Sequence, residues 1–170
     1  MPVALGARFD LPRDATGCGA GEPAGRVRER YGRYDAVAPG RWRIRCQERT
    51  LRYVVRPVHR LAIRRVGTLG DPPDSERPGP AGAAAGQRLD LVPEAFAADG
   101  EELVLGSGAE VRWEYSGVLA DAGYPGCGDI LPWCPPRIWG HAQVTAAGRG
   151  AAVAHFGGHS TRLEVVATAR

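Results

Sequence analysis

The chain has 170 residues, 44% of them hydrophobic, enough to pack one medium domain or two small ones, which excludes disorder throughout. Twenty-four Gly and fourteen Pro exclude a mainly helical fold, since each breaks a helix interior, whereas many short strands need that many turns. Lys and Asn are absent, and the net charge of +3 conceals 15 Arg against 6 acids in residues 1–66 and 7 Arg against 13 acids in 67–170, +9 and −6.

In chain order, Val3, Leu5, Phe9 and Leu11 alternate and predict a first strand. Residues 12–25, small and Gly-rich around Cys18, predict a loop, and Arg26 to Tyr34 fits either a strand or a short helical turn. After the Ala38-Pro39-Gly40 turn, Trp42, Ile44 and Cys46 alternate with Arg41, Arg43 and Arg45, the pattern of a half-buried strand. Gln47 to Thr50 connects it to Leu51, Tyr53 and Val55, which alternate with Arg52 and Arg56, so a hairpin with a guanidinium-lined outer surface is predicted. Pro57 interrupts that ladder, and Leu61, Ile63 and Val66 resume a strand.

Residues 67–86, rich in Pro, Gly and Ala, read as a linker or an exposed loop. Beyond it, Arg88 to Pro93, Glu102 to Leu105 and Ala109 to Tyr115 read as strands, with Trp113 a core anchor between Val111 and Tyr115. Residues 117–140 form an elaborated Cys/Pro/Trp loop, which Cys127 and Cys134 could close and in which Trp133 and Trp139 either cap the fold or face a partner. The last thirty residues read as a three-strand meander, Gln143 to Ala146, Ala151 to Phe156 and Thr161 to Thr168, burying Val144, Val153 and Val165. The fold class expected is all-β, an antiparallel β-sandwich. Its divisions are a basic β-rich region at 1–66, which can form a reduced sandwich of its own, the linker or loop at 67–86, and a sandwich at 87–170.

Three stretches carry a family resemblance: Gly108-Ala-Glu-Val-Arg-Trp113, Val144 to Ala154 with its Gly148-Arg-Gly150 turn, and Leu163-Glu-Val-Val166. Over residues 89–166 the chain resembles a bacterial Ig-like domain of the type found in bacterial surface proteins and phage virion proteins. The resemblance implies an Ig-like sandwich in the C-terminal part, and the loop at 121–140 departs from it.

The four Cys, at 18, 46, 127 and 134, allow Cys127–Cys134 as a local disulfide, and Cys18 could also pair with Cys46. Zinc held by Cys127, Cys134 and His141 is disfavoured, because the spacing lacks the close Cys pairs of structural zinc sites. No Gly-x-Ser-x-Gly elbow is present and, without Lys, no phosphate-binding loop, so neither an enzyme nor a cofactor is expected. Residues 1–20 hold no basic segment followed by an apolar one, and no apolar run approaches the ~18 residues of a membrane span, so the chain is expected to be soluble, outside the Sec pathway and without a membrane partner.

Arg41, Arg43, Arg45, Arg49, Arg52 and Arg56 are therefore the first candidate interaction residues, with Trp133 and Trp139 the second. The functional expectation is a non-enzymatic structural or assembly protein acting on other protein subunits, as a homo-oligomer or with capsid or tail proteins. It would be a virion component assembled in the cytoplasm: a phage capsid decoration, cement or small coat protein, or a tail component. The alternatives are a binding module, for nucleic acid through the Arg hairpin or for carbohydrate through the Trp loop, and an extracellular or cell-surface location.

Overall fold

The computed structural model describes residues 1–30, 33–68, 72–106, 108–123 and 138–169. In chain order its strands are β1 (Pro2–Ala4), β2 (Arg8–Phe9), β3 (Val27–Arg30), β4 (Arg33–Ala36), β5 (Gly40–Arg45), β6 (Thr50–Arg56), β7 (Arg60–Arg65), β8 (Ala81–Ala84), β9 (Arg88–Phe96), β10 (Glu102–Leu103), β11 (Arg112–Gly117), β12 (Leu119–Asp121), β13 (Gly140–Val144), β14 (Gly148–Phe156) and β15 (His159–Thr168). A 3-10 turn spans Asp74–Glu76. The protein is all-β and divides into two compact units, residues 1–60 with 95–110, and residues 61–94 with 111–170.

In the second unit, β7, β9, β13 and β12 form one sheet, and β11, β14, β15 and β8 the other. Neighbours are antiparallel except β8, which runs parallel to β15. This is the strand order of an immunoglobulin-like sandwich, A-B-E-D against C-F-G, with an added strand parallel to the last. Ile63, Leu91, Val144, Leu163 and Val165 from both sheets are buried in its core. Burial of such side chains stabilises by about 1.5–3 kcal/mol each.

Two expectations for the closing residues are corrected. They do not form one meander: β13 pairs with β9 and β12, while β14 and β15 make a hairpin in the opposite sheet. The reason is that β13 is an interior strand with both edges occupied, buried along nearly its whole length, so it cannot also pair with β14. Nor does Val153 enter the core, since it stands between Glu114 and Arg162 on the outward face. The inward positions are Ala152 and Ala154, whose small side chains lie opposite Tyr115 and Trp113 and leave room for those rings.

In the first unit, β6 lies between β5 and β1, antiparallel to β5 and parallel to β1, and β4 lies between β2 and β3. Phe9 of β2 meets Tyr53 of β6 at 5.1 Å and Trp42 of β5 at 6.4 Å between ring centroids. Rings from the two sheets thus interdigitate in a second, smaller sandwich. Residues 95–110 complete this unit. Val104 bridges Val3, with Ala4 N–H donating to Val104 O at 3.0 Å. Gly106 follows at φ +76, and a Cβ there would fall 2.1 Å from Arg8 O, so only Gly fits this approach.

Candidate functional site

The site is built from the β5–β6 hairpin of the first unit. Its register opposes Trp42 with Tyr53 and Ile44 with Leu51 on the inner face, and Arg41 with Val54, Arg43 with Arg52 and Arg45 with Thr50 on the outer one. Because successive side chains alternate, burying the aromatics fixes the arginines outward. Of the six arginines singled out in the sequence, Arg41, Arg43, Arg45 and Arg52 gather on this surface. Arg49 lies in the hairpin turn and donates to Asp14, and Arg56 is half-buried between Asp99 and Glu101. The Arg56 guanidinium holds the Asp99 carboxyl below the ordinary carboxylate range.

The outer edge of β5 is covered by a strap, residues 16–22. Gly19 N–H donates to Arg45 O, Gln47 N–H to Thr16 O, and Glu22 and Arg43 exchange both backbone bonds at 2.7 Å. A disulfide joins Cys18 to Cys46 at the end of the strap. Gly21 lets it pass directly over Trp42, since a Cβ there would stand 2.2 Å from the indole ring. The strap carries Glu22 onto the arginine surface, where its carboxylate accepts from Arg43 Nη2 at 3.0 Å. Arg41, Arg45 and Arg52 have no ion-pair partner among the described residues. Two open grooves cross the surface: one of about 810 Å³ holding Pro23 and Val54, and one of about 370 Å³ holding Arg45 and Thr50. Glu22, Arg43 and Arg52 line both.

Chemically this surface can hold carboxylate or other oxyanion groups through charge-assisted hydrogen bonds. Sequence reading missed Glu22, Pro23 and Val54. The Cys18–Cys46 pairing was the signal that could have placed the strap beside β5. The charge contrast between sequence halves is divided differently by the compact units. By unit it becomes 13 Arg against 10 acids, net +3, in the first, and 9 Arg against 9 acids in the second. The reason is that residues 95–110 bring Asp99, Glu101, Glu102 and Glu110 into the first unit, while Arg64 and Arg65 belong to the second.

Of the other candidates, Trp133, Cys127 and Cys134 lie outside the described residues. Trp139 is half-buried just before β13. His141 is buried on β13, its Nδ1 2.7 Å from Asp90 Oδ1. Among the described residues no three His, Cys, Asp or Glu side chains form a metal-binding group. Asp74, also buried, accepts from Arg65 N–H at 2.8 Å, Thr68 Oγ1 at 2.7 Å and the Arg65 guanidinium. Burial pushes its carboxyl up, but the Arg65 N–H, the Thr68 hydroxyl and the Arg65 charge outweigh that and hold it below the ordinary value. Asp74 thus ties the 3-10 turn to the end of β7 and to Thr68 beyond it, with Arg77 also 3.8 Å from its carboxylate, which is an anchoring role.

No protein-family model matches the sequence, and no curated protein matches it. Among solved structures the chain is similar to domains 4 and 5 of the S-layer protein SbsC, at 10% identity and a TM-score of 0.39, covering 91% of this chain and 72% of that one. Against SbsC domains 1–6 the values are 11% and 0.41, with 94% of this chain but 21% of that one covered. The Escherichia coli adhesin FdeC is similar at 11% and 0.38, over 98% of this chain and 60% of that one. These likenesses are too distant to carry a functional argument, and the Ig-like assignment rests on the strand order of the second unit.

Proposed function

We propose that this chain is a non-enzymatic structural protein that works by protein–protein contact within a larger assembly. The observation that carries the reading is the outward surface of β5 and β6, where Arg41, Arg43, Arg45 and Arg52 sit on a disulfide-anchored hairpin and, among the described residues, only Arg43 is matched by an acid. A charged face on which, among the described residues, no nucleophile and base converge suits docking rather than turnover. On this reading the first candidate assembly is a phage virion, with the chain as a capsid decoration, cement or small coat protein or a tail component beside other protein subunits. The Cys18–Cys46 disulfide favours a second reading, a component of an extracellular or cell-surface layer, because such bonds persist in oxidising compartments.

Fractionation of producing cells and of any particles they release tests both. Recovery in fixed proportion to the subunits of a particle or a surface layer supports the assembly reading, and the fraction that holds the chain decides between the two. Recovery only as a free monomer, unchanged when Arg41, Arg45 and Arg52 are replaced by Gln, overturns it.

A further inference from the structure

Resting on that reading, we infer that the partner presents an extended polypeptide segment with carboxylates at alternate positions, which lies along β5 and meets Arg41, Arg43 and Arg45. Side chains on one face of a strand recur every second residue, roughly 6.7 Å apart, so these arginines form a row of that repeat. An extended partner segment with acids at every second position repeats at the same distance. From β6, Arg52 stands opposite Arg43 and Thr50 opposite Arg45, adding donors on the other side of the row. A like-charged cross-strand pair such as Arg43–Arg52 is unfavourable by itself. Among the described residues it is offset only through Glu22 on Arg43, and carboxylates arriving between β5 and β6 would neutralise the remainder. Val54, 38% exposed opposite Arg41, and Pro23 add an apolar wall to the same groove, suited to a side chain of a polypeptide.

The same surface is poorly made for nucleic acid. Trp42 and Tyr53 border the larger groove but are each only 3% exposed, so among the described residues the face offers little ring surface on which a base could stack.

The test is an NMR titration of the full chain, which reads weak affinities. The probes are a blocked seven-residue peptide alternating Thr with Asp, a peptide of the same composition with its Asp contiguous, the alternating peptide with Asn for Asp, and oligothymidylate. The alternating Asp peptide should shift β5 and β6 amides and bind several-fold more tightly than the contiguous one. Arg45→Gln combined with Arg52→Gln should weaken it by about 3- to 30-fold, the equivalent of two exposed ion pairs. Glu22→Gln should tighten it, by up to about 5-fold, because Arg43 is released. All three positions are exposed, and near-UV circular dichroism checks that the variants keep the fold. Equal binding of the two Asp peptides, weaker binding by Glu22→Gln, or tighter binding of oligothymidylate would each overturn the inference. If the peptides fail while the chain is still recovered in an assembly through its arginine face, only the partner chemistry falls, whereas recovery in no assembly removes the underlying reading.

Discussion

Replacing Gly21 by Ala strikes the place where the strap and the aromatic core of the first unit leave no space between them. The new Cβ would lie 2.2 Å from Cε2, Cζ2 and Nε1 of Trp42. The indole cannot yield easily, because Tyr53, Tyr34 and Phe9 surround it at centroid distances of 5.3, 5.6 and 6.4 Å. Overpacking of this kind costs about 1–3 kcal/mol. Gly19, in the same strap, supplies the control: the nearest atom to a Cβ there is Arg45 O at 3.9 Å, and its φ lies outside the left-handed region. Gly19→Ala should therefore stabilise by about 0.4–1 kcal/mol, by restricting the unfolded chain. In a chain of this length each kcal/mol moves Tm by about 2–4 °C, so Gly21→Ala should melt roughly 2–12 °C lower and Gly19→Ala roughly 1–4 °C higher. Thermal and urea unfolding followed by near-UV circular dichroism, which reads the aromatic cluster, measures both. A Gly21→Ala protein within about 0.5 kcal/mol of wild type, or a Gly19→Ala protein destabilised as much as Gly21→Ala, would refute the placement of the strap on Trp42.

Asp74→Asn should destabilise the second unit by about 2–3 kcal/mol, since it weakens charge-assisted bonds to Arg65 at a carboxylate only 4% exposed. As the folded-state pKa of Asp74 is lowered, its contribution is present above the unfolded value near about 3.9 and lost as pH falls through the folded one; urea midpoints of the wild type should therefore drop more steeply below about pH 4 than those of the variant. Replacing both Cys18 and Cys46 by Ser opens a link between residues 28 apart and should cost the first unit about 3–4 kcal/mol, read as a lower urea midpoint, with faster amide exchange at Arg43.

The arginine hairpin was legible because a half-buried strand writes its two faces into alternate residues: Trp42, Ile44 and Cys46 against Arg41, Arg43 and Arg45. What neutralises the arginines was not. Glu22 is 21 residues from Arg43, Asp14 is 35 from Arg49 and Glu101 is 45 from Arg56, and no local pattern reports such pairings. The closing strands were legible as strands but not in their pairing, because Gly148 punctuates a passage between sheets in the same way as it would a hairpin. The buried Ala152 and Ala154 carry no apolar bulk, so the eye goes to Val153 on the wrong face. Residues 72–86 hold few large apolar groups for the same reason that they read as a linker. Their order comes from Asp74 and from the small residues of β8, which hydrogen-bond to β15 through the backbone.

The return of residues 95–110 to the first unit bears on how the chain can be made. Strand β1 keeps a bare edge until Val104 reaches it, so synthesis from the N-terminus leaves the first unit unfinished until residues 61–94 of the second have emerged. A fragment ending at residue 66, however natural that boundary looks on paper, would carry that open edge permanently and invite pairing with its own copies. Expression and truncation of this protein are governed by a closure that arrives late, from a distant part of the chain.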